Sequence, residues 1–357
     1  MFIRNDWYIA AWASEIVGGP GAKPLGRKIL NEDVVLFRDQ DGKVAALENR
    51  CAHRGVPLSC GEVVDKGIQC GYHGLIFNRT GACVEVPGQT LIPPSSKIRS
   101  YPLVEKDQFC WIWMGDQALA DPSTILDYPY HDDAKNWPHK HDMYPIKCNY
   151  MLLIDNLMDL THLGFVHKHT IGGNARVHVD AKMETTRKDN GLHYVRWMLE
   201  STPPPTYSKS VKFKRDKVDR WQEFELFVPG AIVQWSGATD AGTGAMEGKR
   251  DGGFSLRLFH GITPETDKTC FYFWSAANGY RQDDPAATEQ LFNEIAVTFK
   301  EDWAILEKQQ VSLERYPDRN YVEIASDGAR THSRKVIDRR LAEEAAEKRE
   351  ATAPAMA

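Results

Sequence analysis

The chain has 357 residues, a formal net charge of −5 and seven cysteines. That length suggests two domains, and the charge lacks the basic footprint of nucleic-acid binding. No apolar run is long enough to span a membrane, and an odd cysteine count argues against a disulfide framework.

The N-terminus, MFIRNDWYIAAWASEI, lacks the basic start, apolar stretch and cleavage site of a signal peptide. A cytoplasmic protein is expected, with any clustered cysteines read as metal ligands. Residues 1–118 look β-rich. VVLFRDQDGKVAALEN (34–49) gives two strands around Asp41-Gly42, and GLIFNRTGACVEVPG (74–88) repeats the pattern at Thr80-Gly81. FCWIWMGD (109–116) is a further strand. Residues 116–138 read as a linker, and residues 119–345 as a second domain. Within it, STPPPTY (201–207) suggests a rigid loop and residues 237–253, rich in glycine, a long flexible one. Strands are expected at 254–262 and 269–277. Asp284-Pro285 then marks a helix start. The charged C-terminal helix is expected to fray, leaving 346–357 as a tail. The sum is an α+β protein: an all-β N-terminal domain, then an antiparallel sheet covered by helices.

Two cysteine–histidine pairs stand out. CAHRGVPLS supplies Cys51 and His53, and CGYHG supplies Cys70 and His73. Two thiolates and two imidazoles suit structural zinc. They equally suit a [2Fe–2S] cluster with cysteines on one iron and histidines on the other. The single residue between Cys51 and His53 is tighter than zinc-finger spacing, which favours the cluster. Gly55 and Gly71 are expected to let backbone amides approach sulfur. The other cysteines, Cys60 included, read as ordinary buried thiols.

A second group lies in YMLLIDNLMDLTHLGF (150–165), nearly all apolar and read as a buried helix. Asn156, Asp159 and His162 follow at steps of three and share a broad face. His167 follows His162 by five residues, which rotates roughly 140° on an ideal helix. Joint ligation therefore requires the helix to end or bulge near Gly164. Two histidines with one carboxylate form the facial triad of non-haem iron(II). Asp159 is the nearest carboxylate in sequence. Asp302 sits on the apolar stripe Leu291, Ile295, Phe299, Leu306, where a buried carboxylate needs a cation, and it is assigned as the third ligand. Glu301, one step off that face, reads as solvated. His169, Arg196 and Arg257 read as surface residues, although the arginines also suit a carboxylate or sulfonate.

With RNDWYIAAW (4–12), WIWMGD, DNLMDLTHLGFVH, ITPETD (262–267) and FKEDWAILEKQQ (299–310), these motifs make the chain resemble the oxygenase component of a Rieske non-haem iron oxygenase. The resemblance spans the whole length and is nearest the branch with vanillate O-demethylase, toluenesulfonate methyl-monooxygenase and dicamba O-demethylase. It implies a Rieske domain over 1–118 carrying [2Fe–2S], and a catalytic domain binding Fe(2+) through His162, His167 and Asp302. It also implies that Asp159 bridges His162 to His73 of a neighbouring chain within a homotrimer or multiple of trimers, and that Asn156 lies beside the iron without ligating it strongly. His260, Gln234 and Asn293 match substrate-contacting positions. Electrons would come from an NAD(P)H-dependent reductase of flavin and ferredoxin type, since no G-x-G-x-x-G follows a strand here. The expected activity is monooxygenation of a substituted aromatic acid by O₂, as O-demethylation or methyl hydroxylation. Ring cis-dihydroxylation is the alternative, and a Rieske electron carrier without oxygenase activity the more distant one. No nucleic-acid or membrane partner is expected.

Overall fold

The computed structural model describes residues 1–352, with side chains described as far as residue 349. Two compact units emerge: residues 1–127 with 263–267, and residues 128–262 with 268 onward. The boundary thus differs from the expected 118/119. Residues after 118 stay with the first unit because Trp7 Nε1 donates to the Asp121 carbonyl (3.0 Å) and Lys106 Nζ to that of Ile125 (3.2 Å). Residues 263–267 join it through Thr263 Oγ1, which donates to the Ile9 carbonyl at 2.7 Å.

The first unit holds three sheets. Strands β1 (Trp7–Trp12), β2 (Leu25–Ile29), β3 (Glu32–Arg38) and β4 (Val44–Glu48) come first in the chain. Then follow the short β5 (Glu62–Val64), β6 (Gly67–Gln69), β7 (Ile76–Phe77) and β8 (Cys83–Glu85). β9 (Ser100–Tyr101), β10 (Leu103–Lys106) and β11 (Phe109–Trp113) complete it. The orders are β1-β11-β10, β2-β3-β4-β9 and β5-β6-β7-β8. β1 and β11 are apolar throughout and buried on both faces, which explains their lack of alternation. Two core clusters result, one around Tyr8, Ile29, Leu36 and Ile112, the other around Phe37, Leu47, Ile68 and Phe77. The second cluster includes Cys51 and Cys70, so the paired loops hang from its edge. Cys60 is exposed, against expectation: it ends a single 3₁₀ turn, Leu58–Cys60, of which only Leu58 is buried.

In the second unit, one seven-stranded antiparallel sheet runs β12 (His139–Ile146), β18 (Thr269–Asn278), β17 (Phe254–Thr266), β16 (Ala231–Asp240), β15 (Val218–Phe227), β14 (Gly191–Ser201), β13 (Lys182–Lys188). The helices are α1 (Tyr150–Met158), α2 (Leu163–Val166), α3 (Ala175–Val179), α4 (Pro205–Ser210), α5 (Pro285–Arg315) and α6 (Gly328–Thr352). α4 replaces the second half of the expected rigid loop, because Pro205 at the first helical position pre-sets φ. β16 continues to Asp240, shortening the glycine-rich loop to 241–253. α5 starts where Asp284 accepts from the Ala286 amide at 3.0 Å and Pro285 follows. Its buried stripe packs on β12 and β18. α6 continues to Thr352, so residues 346–352 are helical rather than frayed; residues 353–357 lie outside the described residues.

Strand register sorts the sheet into two faces. Tyr194 pairs with Phe224, Arg196 with Gln222 and Met198 with Arg220, and the row continues through Gln234, Ser236, Leu258 and His260. This face lies beneath α1, α2 and α5. The other face carries Trp197, Trp221, Glu223, Trp235 and Arg257.

Candidate metal centres

In the first unit, the two loops have the same length and closure. Cys51 N donates to the Val56 carbonyl at 2.9 Å, and Gly55 N to that of Cys51 at 2.9 Å. Likewise Cys70 N donates to Leu75 at 2.8 Å, and Gly74 N to Cys70 at 3.0 Å. Gly55 (φ 72°) and Gly74 (φ 75°) both take the left-handed conformation that closes each turn. Gly74, rather than Gly71, is therefore the counterpart of Gly55. Gly71 instead packs so closely on the Cys60 carbonyl that a Cβ would meet it at 2.8 Å. The thiols are buried while His53 and His73 are exposed, their rings 4.6 Å apart at 66°. Two buried sulfurs below two exposed imidazoles fit a cluster with chemically different ends.

In the second unit, α1 stops at Met158. Asp159 is extended (φ −132°, ψ 99°), a 3₁₀ turn covers Leu160–His162, and α2 follows to Val166. The break that reorients the histidines is thus at Asp159, five residues before the expected Gly164. Asp159 causes it by acting as a cap: its Oδ1 accepts from Thr161 N (2.9 Å) and Thr161 Oγ1 (2.8 Å). Gly164 serves packing, since a Cβ there would meet Ala175 Cα of α3 at 2.2 Å. The last turn of α2 brings His167 round, with rings of His162 and His167 5.3 Å apart at 74°.

His162, His167 and Asp302 meet with ligand atoms all within 4.8 Å of one another. Asp302 Oδ1 lies 3.1 Å from His167 Nε2, 3.4 Å from His162 Nε2 and 3.1 Å from Asn156 Nδ2, which donates to it. The other nitrogen of each ring is committed. His162 Nδ1 donates to the Asp159 backbone carbonyl at 2.7 Å, and His167 Nδ1 to Glu301 Oε2 at 2.7 Å. Neither acceptor can give a proton back, so both tautomers place the free lone pair at Nε2, facing Asp302. Burial would raise the Asp302 carboxyl and lower His167. The two imidazoles outweigh it at Asp302, holding that carboxyl well below the usual range, and Asp302 and Glu301 raise His167. Two bare nitrogens and a carboxylate at these separations repel unless protons or a cation lie among them. The Asn156 Oδ1 beside them is buried with no partner. This donor set fits a divalent metal with one carboxylate and two histidines.

Several expectations change here. The Asp159 carboxylate does not touch His162: its Oδ2 accepts from Ser326 Oγ at 2.9 Å, and only its carbonyl reaches the ring. Glu301 is not idle in solvent but orients His167. The pattern Glu-Asp, one residue for each nitrogen of one ring, was its only trace in the sequence. Asn293 is exposed and bonded to Glu289 (3.2 Å), because nine residues turn about 900°, placing it opposite Asp302. His260 and Gln234 do line the metal-side cavity with Phe224, Leu258 and Phe299; it holds about 30 Å³. His260 Nε2 donates to Gln234 Oε1 at 2.9 Å, and its Nδ1 accepts from Tyr272 OH at 2.7 Å. Burial pushes His260 down to about 3, so it stays neutral. Arg196 is buried and Arg257 stacks on Trp235 at 4.3 Å, so neither is a plain surface residue.

Residues 6–102 match the family model described as the Rieske [2Fe-2S] domain, and residues 146–343 that of the vanillate O-demethylase oxygenase C-terminal domain. The chain is 41% identical over 343 residues to the iron-sulfur subunit of a toluene-4-sulfonate monooxygenase system from Comamonas testosteroni, covering 96% of this chain and 97% of that one. It is 37% identical to a vanillate O-demethylase oxygenase subunit from Pseudomonas sp. (strain HR199 / DSM 7063), covering 96% of each. A crystal structure of dicamba monooxygenase bound to dicamba superposes with a TM-score of 0.87 at 32% identity, covering 97% of this chain and 99% of that one.

Proposed function

This chain belongs to the vanillate O-demethylase oxygenase family of Rieske [2Fe–2S] proteins, and from that membership we propose that it monooxygenates a substituted aromatic acid, by O-demethylation or methyl hydroxylation. It is an oxidoreductase, the oxygenase component of a multicomponent monooxygenase system. Its two centres are a [2Fe–2S] cluster and a mononuclear non-haem iron. Cys51, His53, Cys70 and His73 would hold the first, and His162, His167 and Asp302 the second. When bound, the cluster supplies single electrons and the iron(II) supplies open coordination positions for O₂ chemistry.

The chain's own residues then set geometry and charge. Glu301 and the Asp159 carbonyl fix the imidazole tautomers, one through a charged acceptor and one through a neutral one. Asn156 holds Asp302 by its amide, leaving its own oxygen toward the site. Neutral His260 and Gln234 wall the reaction cavity, and Phe224, Leu258 and Phe299 keep it dry. O₂, two electrons and two protons balance against one hydroxylated carbon and one water. The electrons come from an NAD(P)H-dependent reductase of flavin and ferredoxin type. The exposed His53 and His73 would present the edge of the cluster to a neighbouring protomer of a homotrimer, where Asp159 would stand between the two centres as a positioning group. Exposed Ile305, Tyr321 and Val322 beside Asp159 support an interface there. The single observation carrying the reading is the convergence of two tautomer-locked histidines on one buried carboxylate.

The test is product analysis under ¹⁸O₂ with reductase and NADH, using toluene-4-sulfonate and a methoxybenzoate. One labelled atom in the benzylic alcohol, or formaldehyde release, is expected. A cis-diol with two labelled atoms overturns the proposal.

A further inference from the structure

The inner face of the sheet forms the floor of the metal-side cavity. Gln222 stands in that floor, 3% exposed, opposite Arg196 and Ser236 in the strand register. Arg196 Nη1 donates to Gln222 Oε1 at 3.3 Å. A guanidinium offers no acceptor, so it holds the amide by its oxygen and decides which way the amide is turned. Gln222 Nε2 has no hydrogen-bond partner among the described residues. Arg196 is itself 3% exposed, and its other acceptor is the neutral His178 carbonyl. Its charge therefore polarises the amide and strengthens the Nε2 donors.

The other polar groups of the floor are committed to one another. Tyr272 OH donates to His260 Nδ1, His260 Nε2 to Gln234 Oε1, and Gln234 Nε2 to Ser236 Oγ at 2.7 Å. On the helix side the unused group has the opposite character. Asn156 gives its amide to Asp302 Oδ1, and its Oδ1 is buried with no partner. The cavity is thus polarised, with unused N–H groups at the sheet and an unused oxygen beside the metal ligands.

We infer that Gln222 is a specificity-determining residue: its Nε2 donates to a carboxylate or sulfonate oxygen of the substrate, which turns the methyl or methoxy carbon toward His162, His167 and Asp302. This inference rests on the reading of the chain as an aromatic-acid monooxygenase, and it assigns which end of the acid faces the metal. An N–H group bonded to a charged oxygen is roughly twice as strong a contact as a neutral pair. An acid bound the other way round sets its oxygens against Asn156 Oδ1 and leaves the Gln222 N–H groups buried and unpaired. The cavity holds about 30 Å³ and a benzene ring needs roughly 150 Å³, so binding displaces apolar wall side chains while the hydrogen-bonded floor supplies the fixed points.

The test uses holoenzyme loaded with both metal centres, without reductase so that nothing turns over. Binding of 4-methylbenzoate is compared with binding of 4-nitrotoluene, which has the same shape but is neutral and a poor acceptor. Wild type should prefer the acid, and Gln222→Leu should cut that preference about 20-fold, the loss of one hydrogen bond to a charged group. Gln222→Glu still accepts from Arg196 but has no N–H to offer, and should cut it about 100-fold. Orientation is the readout that a merely structural role would not move. In the Fe(II) protein, relative to a Zn(II) control, the methyl protons of bound 4-methylbenzoate should relax faster than the ring protons beside the carboxylate. The reverse order overturns the inference, as does an unchanged preference in loaded Gln222→Leu. If that variant fails to load, an unchanged preference in Gln222→Glu overturns it instead. A wild type without preference for the acid refutes the aromatic-acid reading itself, a distinct result.

Discussion

Removing Glu301 should weaken iron binding without touching a metal ligand. Its Oε2 accepts from His167 Nδ1 at 2.7 Å, and His167 is 1% exposed. Glu301→Ala therefore deletes a charge-assisted hydrogen bond and leaves a buried N–H unpaired. Loss of such an outer partner typically costs 10–100-fold in metal affinity, or about 1.4–2.7 kcal/mol. Glu301 itself is about one-third exposed, so solvent screens its charge. The expected loss is about 30-fold for Glu301→Ala and about fivefold for Glu301→Gln, which keeps a neutral acceptor. The assay is competition of a chelator for Fe(II), with the visible spectrum of the [2Fe–2S] centre as the check on folding and cluster content. A Co(II)-loaded sample should also show a shifted ligand-field spectrum, which a merely structural role would not produce. An Ala variant that holds iron as tightly as wild type refutes the argument.

The pH response should have opposite signs with and without metal. His167 is raised in the folded, metal-free protein, so its pairing with Asp302 is fully present below pH about 6.5 and is lost as pH rises through the folded value. Metal must displace that proton, so iron affinity should climb by up to about tenfold per pH unit over the same window and then level off; titration at fixed chelator checks this. Gly164→Ala should lower the melting temperature, at a cost of about 2 kcal/mol or more, because its Cβ meets the Ala175 backbone at 2.2 Å; iron stoichiometry should fall with it. On the outer face, burial would raise Glu223, but His193 (3.0 Å) and Arg250 (2.5 Å) hold it down to about 2. That pairing contributes about 1–2 kcal/mol above pH about 4.5 and is lost as pH falls toward 2, so Glu223→Gln should flatten the acid limb of the stability curve.

Sequence alone determined what depends on residue type and short-range spacing. The two Cys–His pairs fixed the cluster loops because each lies within one turn. The stripe Leu291–Leu306 located Asp302, since a helix repeats its face every three to four residues. The Asp284-Pro285 start of α5 was legible for the same local reason. The tertiary structure decided whatever depended on long-range neighbours. The helix break moved to Asp159, where a capping carboxylate outcompeted the apolar run, and this took that side chain away from His162. Glu301 gained its role only when α5 met α2, across 134 positions of chain. Asn293 lost its role through helix geometry. Arg196, in a strand that reads as an ordinary surface strand, was buried because its side chain lies on the inner face of the sheet, where Gln222 and the His178 carbonyl accept its N–H groups. Burial is a property of what lies opposite, and the one-dimensional pattern of a strand records only which residues share a side.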